Sequence, residues 1–139
     1  MTSILVKLTS IAFFCSATAA YALAPDAGAI GKIKGSGVLE RNGAVVTGDA
    51  GVGVKSMDTA VTANGQMQID FIDETRVDIT EHSRLLIDEF VYDPANNVGK
   101  LGLKASLGTM RYASGQIAKK YKQNVKIRTP SATIGVRGT

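Results

Sequence analysis

The stretch Gln66-Met67-Gln68-Ile69-Asp70-Phe71-Ile72-Asp73-Glu74-Thr75-Arg76-Val77-Asp78-Ile79-Thr80 decides the fold class. Met67, Ile69 and Phe71 alternate with Gln66, Gln68 and Asp70, and Val77 and Ile79 alternate with Arg76, Asp78 and Thr80. A period of two puts one set on each face of a strand, so the spacing predicts two half-buried strands joined by a turn at Asp73-Glu74. Glu81-His82-Ser83 turns the chain again, and Leu85 and Ile87 resume the pattern toward Phe90 or Val91. The unit of strand, short polar turn and strand thus recurs over residues 66–71, 76–80 and 84–88.

Upstream, Asn42-Gly43 is a type I′ hairpin signal leading into Ala44-Val45-Val46. Gly48-Asp49 to Gly53 and Asn64-Gly65 are further turn zones, with an irregular connector over 54–61. Residues 23–36 read as a glycine-containing lead-in segment around Gly31 and Gly35. Downstream, Asp93-Pro94-Ala95-Asn96-Asn97 is a loop, Leu101 and Leu103 alternate with Lys100, Gly102 and Lys104, and residues 116–123 form one helical turn or a basic surface loop. Val125 and Ile127 alternate with Lys126 and Arg128, Pro130 interrupts pairing, and Ala132, Ile134 and Val136 resume it. Strands of about four to six residues, turns at about ten-residue spacing and no long helical period predict an all-β domain. Its short strands form an irregular β-solenoid-like or sandwich-like stack with tight Gly, Asn and Asp turns; period alone does not choose between stacked rungs and a meander.

Composition narrows the function classes. A chain of 139 residues is one domain long and can bury a core without disulfides. Residues 1–22 have the layout of a secretory signal peptide: a basic start ending at Lys7, an apolar run from Leu8 to Ala17, and A-x-A frames ending at Ala19, Ala22 and Ala24. Pro25 disfavours cleavage after Ala24, so cleavage after Ala22 is expected, leaving no membrane span and no cysteine, since Cys15 lies within the signal. The net charge of +4 drops to +3 once the single charge of Lys7 is removed, too mild a balance to suggest a nucleic-acid partner.

Four segments resemble the FecR domain family of bacterial envelope proteins, over about residues 37–139. They are Gly48-Asp49, the run Asp58-Thr59-Ala60-Val61-Thr62-Ala63-Asn64-Gly65, the strand pair from Met67 to Ile79, and Thr129-Pro130 followed by Arg137-Gly138-Thr139. The last is the most specific. The resemblance implies an all-β, solenoid-like envelope domain without catalytic activity. In the family's best-known members it forms the extracytoplasmic half of a membrane-spanning regulator that relays receptor occupancy to a sigma factor. Here a signal peptide stands in place of the cytoplasmic segment and membrane helix. Glu74 stands where the family usually has Gly, so a turn type that tolerates a side chain is expected. Family domains continue past Arg-Gly-Thr, so residues 37–139 are expected to lack C-terminal strands and to leave an edge open to self-association.

Among residues that could carry chemistry, Asp70, Asp73, Glu74, Asp78 and Glu81 read as a solvated acidic face with turn residues rather than a cation site. His82-Ser83 lacks a nucleophile elbow or glycine-rich oxyanion loop, and His82 reads as an exposed turn residue. No catalytic, cofactor or metal residues are assigned. Lys119, Lys120, Tyr121, Lys122, Lys126 and Arg128 form the one basic-aromatic patch and are the candidate partner surface. Thr129, Pro130, Arg137, Gly138 and Thr139 are expected to be structural, with the Arg137 guanidinium held by Asp49, Asp73 or turn carbonyls. The expected function is a non-catalytic periplasmic or secreted bacterial module binding a protein in envelope signalling. The alternative is a carbohydrate- or cell-surface-binding structural protein whose lysines meet an anionic glycan.

Overall fold

Two sheets share one apolar core in the computed structural model, which describes residues 25–135. The first five strands are β1 (Gly28–Lys34), β2 (Gly37–Arg41), β3 (Ala44–Thr47), β4 (Gly53–Val54) and β5 (Thr59–Thr62). They are followed by β6 (Gln66–Phe71), β7 (Arg76–Ile79), β8 (Arg84–Asp93), β9 (Val98–Leu107) and β10 (Met110–Ala113). A short helix α1 (Gln116–Lys120) and a 3-10 turn (Lys122–Asn124) lead to β11 (Val125–Arg128) and β12 (Thr133–Gly135). One sheet has the order β10-β7-β6-β1-β4, and the other β12-β11-β9-β8-β5-β2-β3. All pairs are antiparallel except β9 with β11.

The all-β class follows from the period-two pattern. In β6, Met67, Ile69 and Phe71 are buried, and in β7 so are Val77 and Ile79. Their inward faces meet Leu39, Ala60, Leu85, Ile87, Leu101 and Leu103 of the second sheet. Phe71 stacks on Phe90 across the core, with ring centroids 5.2 Å apart. The three recurring runs do not follow one another in one sheet. β6 and β7 pair as a hairpin, and β8 crosses to the second sheet to lie between β5 and β9.

Three local expectations change. Residues 28–34, within the lead-in segment, form strand β1, paired with β6 on one side and β4 on the other. Its glycines mimic a loop in sequence but serve close approach: an added Cβ at Gly28 would overlap the Asp70 carbonyl, and one at Gly31 the Asp70 carboxylate. Part of the expected connector 54–61 is likewise strand β5, between β2 and β8. Strands β8 and β9 are ten residues each, longer than expected. A bulge explains this: the register shifts between Ile87 and Glu89, so the inward set changes from Leu85 and Ile87 to Phe90 and Tyr92. The change of parity reads in sequence as the end of a strand.

Turn chemistry follows expectation at Asn42-Gly43, where both residues have positive φ (49° and 78°) and Arg41 pairs with Ala44. It departs from expectation at Glu74. Its φ of 70° is the left-handed conformation that glycine adopts freely, so the turn keeps the glycine geometry and Glu74 carries the strain.

Candidate functional site

Placement of the basic patch depends on a buried acid that the sequence suggested was solvated. Asp73 is fully buried in the β6–β7 turn. Its carboxylate accepts the Thr75 N–H at 3.1 Å, the Thr75 hydroxyl at 2.7 Å and the Ile117 N–H at 3.1 Å. Its carbonyl accepts the Gln116 N–H at 2.7 Å. Helix α1 begins after Gly115 and has no side-chain cap of its own, so Asp73 satisfies two of its first free N–H groups from another part of the chain. A Cβ on Gly115 would overlap Thr75 N and the Asp73 carbonyl, so glycine is required for this approach. Anchored this way, α1 buries Ile117 and Ala118 and carries Lys119 and Lys120 in its last turn, where cations suit the C-terminal end of a helix.

After the 3-10 turn, β11 runs parallel to β9, with Val125 opposite Leu101 and Ile127 opposite Leu103. Val125 and Ile127 enter the core, while Lys126 and Arg128 face outward. Arg128 lies 3.8 Å from Asp88, and Lys100 lies 3.7 Å from Glu89. Lys126 and Arg128 share a shallow groove of about 240 Å³ with these side chains, Gln123 and Asn124. Two carboxylates therefore interleave with the cations. Tyr121 is half-buried: its hydroxyl donates to Asn97 Oδ1 at 2.9 Å, and an added Cβ on Gly99 would overlap its ring. Tyr121 thus supports the surface from beneath rather than extending it. Lys122 lies in the exposed 3-10 turn.

Thr129-Pro130-Ser131-Ala132 forms the hairpin turn between β11 and β12. The Thr129 N–H donates to the Ala132 carbonyl at 2.8 Å, the Ala132 N–H donates to Thr129 Oγ1 at 3.1 Å, and Pro130 takes the position where its fixed φ suits a turn. Arg128 pairs with Thr133 and Ile127 with Ile134, so the motif folds β12 back along β11. Among the described residues β12 is the edge of its sheet, and Ile134 is 49% exposed. Residues 136–139, with Arg137, Gly138 and Thr139 of the motif, lie outside the described residues, as do residues 1–24 with the signal-peptide expectation.

The FecR protein family model matches residues 57–139. The chain belongs to the FecR protein family. The family is one of signalling regulators associated with the bacterial envelope. No curated protein and no solved structure matches the chain. The FecR match begins at Met57, yet β1 is hydrogen-bonded to β6 and β2 to β5, so the folded unit reaches further toward the N-terminus than the matched residues. No helix among the described residues is long and apolar enough to cross a membrane.

The expectation of a solvated acidic face is revised in this FecR domain. The acidic stretch is broken up by neighbours that sequence order hides: Asp70 accepts from Arg76 Nε at 2.8 Å, Asp78 lies opposite Arg111 in register, and Asp73 is buried. Among the described residues no three metal-ligating side chains converge. A bidentate guanidinium–carboxylate contact is made by Arg41 and Asp58, whereas the one expected of Arg137 falls outside the described residues. Asp58 is 1% exposed and accepts Arg41 Nε at 2.8 Å, Arg41 Nη2 at 2.6 Å and the Lys55 N–H at 2.8 Å. The Asp58 hydrogen bonds and charge raise the Arg41 pKa further above its ordinary value. Asp58 opens the second FecR-like segment, which was the available sequence signal; Arg41, at a hairpin end, carried none. His82 is exposed in its turn, with φ 51°.

Proposed function

We propose that the chain is an exported, non-catalytic binding module that acts through protein contacts in bacterial envelope signalling. The observation that carries this reading is the edge hairpin β11–β12. Thr129-Pro130, from the segment most specific to the FecR family, turns the hairpin that forms the sheet edge among the described residues, beside an outward row of Lys126 and Arg128 interleaved with Asp88 and Glu89. Mixed charge of this kind favours a protein face, where complementary pairs fix register, over a polyanionic glycan at this surface. Lys119, Lys120 and Lys122, exposed on α1 and the 3-10 turn, are included in the proposed surface. Export rests on the basic, apolar and small-residue order of residues 1–22, with cleavage after Ala22; N-terminal sequencing of the mature chain tests that step.

The surface is tested by placing a photo-crosslinking residue at position 126 and illuminating whole cells. A discrete adduct with a receptor or regulator of the envelope, lost in Arg128→Glu, is the expected outcome. A dimer-sized adduct would instead show a second copy pairing along β12. Labelling no different from that of a probe at exposed His82 would overturn the proposal.

A further inference from the structure

The outer face of the five-stranded sheet carries a groove of about 510 Å³ that belongs to neither the partner surface nor the core. Four strands build it. Lys32 of β1 lies opposite Gln68 of β6, Gln68 opposite Asp78 of β7, and Asp78 opposite Arg111 of β10, giving one row of polar side chains across the sheet. At the usual spacing between strands this row is about 14 Å long. Lys34 and Gln66 pair in the same way one step along, and Thr80 and Thr109 complete that side.

Charge in the groove is unbalanced. Among the described residues Lys32, Lys34 and Arg111 have no ion-pair partner, whereas Arg76 beside them is held by Asp70. Three cations therefore face one carboxylate, Asp78. Gln68 donates its amide hydrogens to Asp70 at 3.1 Å, which leaves its carbonyl oxygen as an acceptor. The centre of the groove thus offers amides, hydroxyls and a carboxylate, while its two ends offer cations. No aromatic side chain lines it; Met67 and Ile79 are buried beneath it, and the half-buried Met110 lines one end.

We infer that this groove binds an anionic oligosaccharide. Cations at the ends suit acidic groups, and the Gln, Thr and Asp side chains between them suit sugar hydroxyls, which donate as well as accept. A bare polyanion would be repelled by Asp78 and would leave the amides without work. The site lies on the sheet opposite β11, so it can be filled while the proposed partner surface is engaged.

The test is titration calorimetry of the full chain with trigalacturonate, maltotriose and hexaglutamate. Trigalacturonate is expected to bind, more weakly as salt is raised, and to lose about tenfold in affinity in Lys32→Gln/Lys34→Gln/Arg111→Gln, the sum of a few screened charge contacts. Gln68→Ala is expected to weaken it too, while Lys119→Gln/Lys120→Gln leaves it unchanged. These groove substitutions sit on an exposed face, and an unaltered urea midpoint verifies the fold. Absence of trigalacturonate binding, equal binding in the triple variant, or hexaglutamate binding as tightly as trigalacturonate would each overturn the inference. None of these results bears on the crosslinking outcome at position 126, which tests the other surface.

Discussion

Removing Arg41 should cost more than removing its partner, and the reason lies in how unequally the two are buried. The Asp58 side chain is 1% exposed and that of Arg41 is 28% exposed. In Arg41→Met the Asp58 carboxylate keeps only the Lys55 N–H as a donor and stays in the interior, a situation that costs about 3–5 kcal/mol. Water can follow the vacated guanidinium path, which moves the expectation to the low end, about 3 kcal/mol. In Asp58→Ala the guanidinium keeps the Gly53 carbonyl, 2.8 Å from Nη2, and can turn toward solvent. The loss is then about 2 kcal/mol, chiefly from the unpaired Lys55 N–H and the lost charge-assisted bonds. The double variant Arg41→Met/Asp58→Ala has no buried orphan charge, so it should cost about 3 kcal/mol, a coupling of about 2 kcal/mol. Urea unfolding at neutral pH reads this directly: a loss of 3 kcal/mol moves the midpoint by about 1–3 M. Arg76→Met, which breaks the exposed Arg76–Asp70 pair, is the control and should leave the midpoint in place. A smaller loss for Arg41→Met than for Asp58→Ala, or additive single losses, would refute the argument.

Residues 57–139 alone, the FecR match, should fail to unfold cooperatively. They lack β1 to β4 and with them the buried Ile30, Leu39 and Val54, together about 5–9 kcal/mol of side-chain burial against a typical total of about 5–15 kcal/mol; a sigmoidal urea transition would contradict this. Glu74→Gly should leave stability unchanged or raise it by up to about 1 kcal/mol, because it relieves a φ of 70°, whereas Glu74→Val should lower it by at least about 1 kcal/mol. Asp73→Ala should destabilise by about 2–4 kcal/mol and loosen α1, seen as faster amide exchange at Ile117 than in the wild type. Among the described residues the buried Tyr112 hydroxyl has no hydrogen-bond partner. Burial pushes its phenol pKa up, so the native state favours the neutral form. That contribution is complete below the ordinary value of about 10 and is lost as pH rises from there through the raised folded value. Tyr112→Phe should therefore match or exceed the wild type at pH 8 and hold its stability better above pH 10, as urea midpoints at the two values would show.

Much of the all-β character was legible in the alternation of residues 66–80, because a strand writes its two faces into neighbouring positions. The Asn42-Gly43 hairpin was legible for a similar reason: a two-residue turn with positive φ at both positions admits few residue types. The outward set of Lys126 and Arg128 could be read the same way. Such features are local, and nearest neighbours determine them.

What sequence order could not carry was adjacency between distant strands. Gly31 read as part of a glycine-containing lead-in, and only the approach of Asp70 from β6 shows why the strand must be bare there and at Gly28. The bulge at residue 88 reversed the parity of β8 without any marker residue, since the β9 partner defines it. Asp73 read as a solvated turn acid until the start of α1 arrived to satisfy it, and the partner of Asp58, Arg41, is likewise supplied only by the fold. The groove between Lys32 and Arg111 likewise exists only because β1 and β10, far apart in the chain, flank the β6–β7 hairpin. Period and turn chemistry thus established which segments are strands, while long-range pairing decided which acids are buried, which cations stay unpaired and where a ligand can sit.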